Sequence, residues 1–192
     1  PNTAHSIARR LQDEGVLRIA VHGRTLRQRY AGEADWEEIG EMVRDLSIPV
    51  VANGDVKDAE SAFRCLTVTG AAGLMIGRAA IGAPDIFHKI KQGLGWSSTP
   101  PPWGETVYNL PPNSRDAAIK LWCWNRYCEL AEETNAGRRN THLKRHAISF
   151  TKGLEGASDM RVRLHRTQGP DELIQSVSDF LESSIQSKEM VM

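Results

Sequence analysis

Apolar residues in the first 95 positions alternate between two periods. Ala4, Ile7, Ala8 and Leu11 recur at helical spacing behind Thr3, a residue suited to an N-cap, and the pattern stops near Gly15. Val16 to Val21 is a short β-prone run that ends at His22-Gly23. Trp36, Ile39, Val43 and Leu46 repeat at helical spacing behind Asp35, with Glu38 placed for a capping box. Ile48 to Ala52 reads as a second strand ending at Asn53-Gly54-Asp55, and Asp58 opens a third helix with Ala59, Ala62, Phe63 and Leu66 on its inner face. Gly73 to Ile76 is a third strand, ending at Gly77-Arg78. The strand ends His22, Asn53 and Gly77 are 31 and 24 positions apart, each suited to one β/α step, and near-continuous apolar strands predict parallel βαβ units. Residues 1–95 are therefore expected to be α/β and to form the last three strands of a (β/α)8 TIM barrel, whose active-site face is the C-terminal end of the strands. An open three-stranded sheet is the plainer alternative.

Residues 96–113 change character, with Ser97-Ser98, Pro100-Pro101-Pro102 and Pro111-Pro112, and read as a stiff linker or extended arm. From Ser114, read as a cap, the pattern is helical throughout. One helix carries Ile119, Trp122, Tyr127, Leu130 and Ala131; a second covers 141–152; a third runs from Pro170-Asp171 to about Ser187, with Leu173, Ile174, Val177, Phe180 and Leu181 buried. A small all-helical bundle domain over 114–187, followed by a tail at 188–192, is the expectation.

Composition adds limits. The 192 residues are 40% hydrophobic and 25% charged, as in ordinary globular proteins. No apolar run approaches the ~20 residues of a membrane span, and no signal peptide is recognisable, so no membrane partner is expected. Cys65, Cys123 and Cys128 form no CxxC pair and fall in helix-like segments; buried inert thiols in a reducing, cytoplasmic compartment are expected, and no metal site. The net charge of zero conceals an asymmetry: from Ala136 to Arg166 eight basic residues face only Glu155 and Asp159, a local excess of six. Arg138, Arg145 and Lys152 are spaced by seven and share a helix face, with Lys144 on its flank. A solvated charged face is the ordinary reading, but one with so few interleaved acids fits RNA phosphate, and these four residues are the RNA-binding candidates.

Candidate chemistry collects at the strand ends. His22 can donate to an electron-rich ligand edge beside Gly23, which permits close backbone approach. Gly54 and Gly77 expose backbone N–H groups, a helix expected after Arg78 would aim its positive end at the same place, and Arg78 adds a cation, a combination suited to phosphate. The competing reading is loop residues and tight turns.

The runs Val-His-Gly-Arg-Thr (21–25), Gln-Arg-Tyr (28–30), Ala-Asp-Trp (34–36), Pro-Val-Val-Ala-Asn-Gly-Asp (49–55) and Leu-Met-Ile-Gly-Arg-Ala-Ala (74–80) resemble, in order and spacing, the tRNA-dihydrouridine synthases. Leu-Lys-Arg-His (143–146) and Lys-Gly-Leu-Glu-Gly-Ala (152–157) extend the resemblance into the helical region. It implies reduction of a tRNA uridine to 5,6-dihydrouridine by FMN recharged with NADPH. His22 would contact the flavin, while Asn53, Gly54, Asp55, Gly77 and Arg78 would hold its ribityl-phosphate end. The family's catalytic cysteine and a flavin-contacting lysine lie in the first five strands of the barrel and have no counterpart here, so no catalytic residue is expected in this chain. A piece of a full enzyme, needing the missing N-terminal half of the barrel as partner, is the leading expectation. A non-catalytic tRNA-binding fragment, or another FMN-barrel oxidoreductase, are the alternatives.

Overall fold

The computed structural model describes residues 4–134 and 139–186. In chain order the elements are α1 (Ala4–Asp13), β1 (Ile19–His22), α2 (Trp36–Asp45), β2 (Val50–Asn53), α3 (Ala59–Thr69), β3 (Gly73–Met75), α4 (Ile86–Gly93), α5 (Pro112–Thr134), α6 (Arg139–Thr151), α7 (Ala157–Arg166) and α8 (Pro170–Gln186). Short 3-10 turns occupy Arg78–Ala80 and Glu105–Asn109. The chain divides into two compact units: the first runs to Ala79 and takes in Lys89–Ser97, and the second comprises Ala80–His88 and the chain from Ser98 onward.

In the first unit the strands lie parallel in the order β1-β2-β3, which is consistent with part of a β/α barrel. Each expected strand is present but shorter or shifted. β1 begins at Ile19 rather than Val16, opposite Val50, because Pro49 accepts a bond from Ile19 N but has no N–H with which to continue the ladder. Val50 and Ala52 alternate inward on β2 and are buried. Asp35 caps α2 by accepting from Glu38 N at 2.9 Å, yet the expected capping box does not form, because the Glu38 carboxylate turns to His5 on α1 instead. Asp58 and Ser61 do form one at the start of α3, and Gly70 ends that helix in the left-handed conformation at φ 64°.

The buried stripe of α3 is Ala62, Cys65 and Thr69, and Phe63, expected inside, is 62% exposed. The reason is close helix packing: a Cβ on Gly40 of α2 would lie 3.2 Å from the Val68 carbonyl of α3, so small side chains line this interface and a phenyl ring has no room there. On α1 only Ala8 is buried, while Ile7 and Leu11 of the expected inner face stay exposed. Thr3, the expected cap of α1, lies outside the described residues.

His5 ties α1 to α2. Its Nδ1 lies 3.0 Å from Asp45 Oδ2 and its Nε2 3.1 Å from Glu38 Oε1, an arrangement that suits the doubly protonated ring. The Asp45 hydrogen bond, against burial and helped by Glu38, holds the His5 pKa above its ordinary value. A raised histidine contributes stability that is complete below the ordinary value of 6.5 and is lost as pH rises through the raised one. The His5→Ala variant is therefore expected to melt below the wild type at pH 5.5 and to differ less from it at pH 8.5. Equal gaps at both pH values would rule out the charged pairing.

The second unit packs α5, α6, α7 and α8 around Trp124, Leu143, Leu164, Leu173, Val177 and Leu181, all essentially inaccessible. Three expectations are corrected here. Helix α5 starts at Pro112, so Ser114 is a buried residue of its first turn and not its cap; proline at a helix start has its φ already set and loses no needed N–H. The core tryptophan is Trp124, whereas Trp122 and Leu130 are exposed. Helix α7 occupies a segment in which the sequence shows no helical period, because only Met160 and Leu164 of its ten residues are buried and the charges around them mask it. Within the expected linker, Trp103 and Val107 pack against the helical core, and Arg115 Nη2 donates to Tyr108 O and Leu110 O at 2.9 and 3.1 Å. No described helix is long and apolar enough to cross a membrane.

Candidate ligand cleft and basic helical surface

Parallel register puts the strand ends at one level: His22 is opposite Asn53, and Asn53 opposite Met75. Backbone bonds then hold the loops that leave them. Gly23 N donates to Asn53 O at 3.0 Å, and Asp35 N returns to Gly23 O at 2.6 Å. A side chain at Gly23 would meet the Asp35 backbone at 2.7 Å, so glycine is required where the two ends of the β1–α2 loop touch. The Asn53 amide donates to Met75 O at 2.7 Å, linking β2 to β3 beyond their ladder. His22 Nδ1 accepts from Arg24 N at 3.1 Å, which in the neutral ring places the proton on Nε2.

Beneath this row lies a half-buried ion pair. The Arg24 side chain is 5% exposed; its Nη2 donates to Asp55 Oδ2 and Gly32 O, both at 2.7 Å, and its Nε to Ala31 O at 3.4 Å. Asp55 Oδ2 also accepts from Ala34 N at 2.7 Å. Burial works to raise the Asp55 pKa, but the bonds from Arg24 and Ala34 and the charges of Arg24 and Arg78 outweigh it and hold the carboxyl below its ordinary range. Asp55 adopts φ 56°, and Gly54 beside it φ 127°, with its carbonyl accepting from Trp36 Nε1 at 3.0 Å.

All six sequence-predicted cleft residues, His22, Asn53, Gly54, Asp55, Gly77 and Arg78, line one open pocket of about 620 Å³. Their roles differ. Asp55 is the counter-ion of Arg24 through Oδ2, while its Oδ1 faces Arg78 at the pocket. Gly77 leaves open space where a Cβ would stand. The Arg78 guanidinium is exposed, 3.9 Å from Asp55 Oδ1 and 4.1 Å above the Tyr30 ring. The helix expected after Arg78 is only a three-residue 3-10 turn, and the next true helix waits until Ile86, so no long helix dipole begins at Arg78. Tyr30, Lys57 and Arg64 also line the pocket, although the sequence does not mark them as ligand groups; the one signal is Tyr30 within the Gln-Arg-Tyr run. The three cysteines are buried and away from the pocket lining, and burial pushes the Cys65 thiol up to about 11, as inert thiols require.

The basic candidates separate. Arg138 lies outside the described residues. Lys144 is half-buried, and its ammonium donates at 2.7 Å to the carbonyl of Thr167, the C-cap of α7. Arg145 is exposed on α6. Lys152, expected within that helix, stands one residue past its end and is also exposed. Its carbonyl accepts from the largely buried Lys120, which also pairs with Asp116 at 3.4 Å. Helix α7 brings Arg161, Arg163 and Arg166 to the surface, so the basic excess extends onto a second helix.

A parallel β/α unit with a polar cleft at the C-terminal ends of its strands is the arrangement by which β/α enzymes bind ligands. Comparison narrows the class: the family described as dihydrouridine synthase (Dus) matches residues 2–186, and the chain belongs to it. It is 32% identical over 179 residues to a protein of Synechocystis named probable tRNA-dihydrouridine synthase 1, covering 89% of this chain and 46% of that protein. It is 53% identical over 97 residues to a probable tRNA-dihydrouridine synthase of Rhodobacter capsulatus, covering 50% and 30%. With tRNA-dihydrouridine synthase B of Xanthomonas axonopodis it shares 32% identity over 181 residues, covering 94% and 51%. The chain thus spans about half the length of such relatives.

Proposed function

We propose that the chain provides the FMN-phosphate end and the RNA grip of a tRNA-dihydrouridine synthase, an enzyme that reduces uridine in tRNA to 5,6-dihydrouridine with FMN recharged by NADPH. The observation that carries the reading is the convergence of His22, Asn53, Gly54, Gly77 and Arg78 on one cleft in a chain of this family. The residues suit the cofactor: an exposed guanidinium stands at the cleft beside a glycine with open space around it, as an approaching phosphate needs.

Bound FMN supplies the hydride that the uracil ring takes up. The chain's own residues bind and orient. Arg78 offsets the phosphate charge, Gly77 admits its oxygens to the backbone, and His22 presents Nε2–H as a donor. The Arg24–Asp55 pair holds the loop that walls the cleft. A uridine must leave its stack to reach such a site, so the RNA has to be gripped outside the cleft, and the exposed cations of α6 and α7 serve that end. None of the three buried cysteines can protonate uracil C5, and that acid is proposed to come from the remaining strands of a (β/α)8 barrel.

The test is dihydrouridine formation in tRNA by the chain combined with a segment supplying those strands, together with an FMN titration. The Arg78→Ala variant is expected to weaken FMN by about 1.5–3 kcal/mol, roughly ten- to a hundredfold in Kd. A combined protein that binds tRNA and neither holds FMN nor modifies uridine would leave the chain as an RNA-binding module.

A further inference from the structure

We infer that Tyr30 is a positioning residue that fixes the Arg78 guanidinium at the cleft, and that the half-buried Arg24–Asp55 pair is the strut that carries Tyr30 there. The inference rests on the FMN reading, in which Arg78 is the phosphate-binding cation.

Arg78 has little else to hold it. Its side chain is 56% exposed, and its approach to Asp55 at 3.9 Å is too long for a hydrogen bond. What meets it closely is the Tyr30 ring, 4.1 Å from the guanidinium carbon. Stacking uses the face of the guanidinium and leaves its in-plane N–H donors to an anion, so the ring can hold the group without competing for the phosphate.

Tyr30 belongs to the loop between β1 and α2, while Arg78 follows β3, so the ring can reach it only if that loop crosses the end of β2. Arg24 makes it do so: one guanidinium holds Ala31 O and Gly32 O on the loop and Asp55 just past β2. Asp55 in turn accepts from Ala34 N, closing the far side of the loop. The Arg24 side chain is only 5% exposed and its bonds fix the loop from both sides, whereas Tyr30 itself is 69% exposed and packs too lightly to support the fold.

The decisive comparison is FMN against riboflavin, which lacks the phosphate, titrated into the chain with NMR detection of the Gly77 amide and the Arg78 side-chain N–H. The Tyr30→Ala variant is expected to weaken FMN roughly two- to fivefold, the strength of an exposed cation–π interaction, and to leave riboflavin unchanged. The ring-current displacement of the Arg78 N–H should vanish. Tyr30→Phe should restore both, and Arg24→Lys, whose compact ammonium lacks the planar fork that spans the two carbonyls and the carboxylate, should weaken FMN at least as much as Tyr30→Ala. In an Arg78→Ala background, Tyr30→Ala should have no further effect. Equal loss for FMN and riboflavin, or no loss for either, overturns the positioning role. If the wild type shows no preference for FMN over riboflavin, the phosphate reading of Arg78 fails and takes this inference with it.

Discussion

Replacing Gly54 with alanine is expected to lower the stability of the first unit and to disable the cleft at the same time. Two independent costs meet at this position. The backbone is at φ 127°, where L residues are strained, and an added Cβ would lie 2.6 Å from the Ala34 Cβ and 3.4 Å from His22 Cε1. Strain and overpacking together amount to about 2–5 kcal/mol. Relief by moving Ala34 would break its bond to Asp55, and relief by moving the backbone would withdraw the carbonyl that Trp36 Nε1 uses. The measurement is a thermal melt followed by far-UV circular dichroism and by tryptophan fluorescence, to which Trp36 contributes; at this unit's size each kcal/mol corresponds to roughly 4–8 °C. Gly77→Ala is the control, since a Cβ there meets nothing, and its melt should match the wild type while its FMN affinity falls. Matching melts for Gly54→Ala and the wild type would show that the loop yields easily and that the glycine is not needed.

A comparably large effect is expected for RNA. The chain should bind tRNA with a steep salt dependence and little sequence preference, because exposed lysines and arginines meet phosphates and not base edges. Alanine at Arg145, Lys152, Arg161 and Arg163, all exposed and none in a described ion pair, should flatten the slope of log K against log salt by about 0.7–0.9 for each phosphate no longer neutralised, and so by roughly 3 in all. Lys144→Ala should behave differently. Its ammonium is committed to the Thr167 carbonyl, so the substitution should lower the melting temperature and leave the salt slope nearly unchanged. Titrations at several salt concentrations separate the two outcomes. An unchanged slope in the quadruple variant would reduce this face to a solvated surface.

Both expected results depend on distinctions only partly legible in the amino-acid order. The parallel strands, the Asp35 and Asp58 caps and helix α8 are readable there, since each depends on residues a few positions apart. The gathering of His22, Asn53, Gly54, Asp55, Gly77 and Arg78 is readable too, because parallel β/α units bring their strand ends to one face. What fails is assignment among near-equal choices. Phe63 or Ala62, and Trp122 or Trp124, satisfy helical periodicity equally well until a neighbour such as Gly40 limits the space. Helix α7 has too weak an apolar period to be seen, and the box expected at Asp35 loses Glu38 to His5 on another helix.

By itself, then, the sequence determined the alternation of parallel strands and helices, the helical character of the second half, the family resemblance and the location of the cleft. These follow from local periodicity, capping and the fixed geometry of parallel connections. Tertiary structure alone decided which polar groups are free. One oxygen of Asp55 is engaged by Arg24, Lys144 by a helix end and Glu38 by His5, whereas Arg78 remains exposed against Tyr30. The physical reason is that a charged side chain is available to a ligand only when the fold has not already brought it a partner, and the partners of Asp55, Lys144 and Glu38 lie 31, 23 and 33 positions away along the chain.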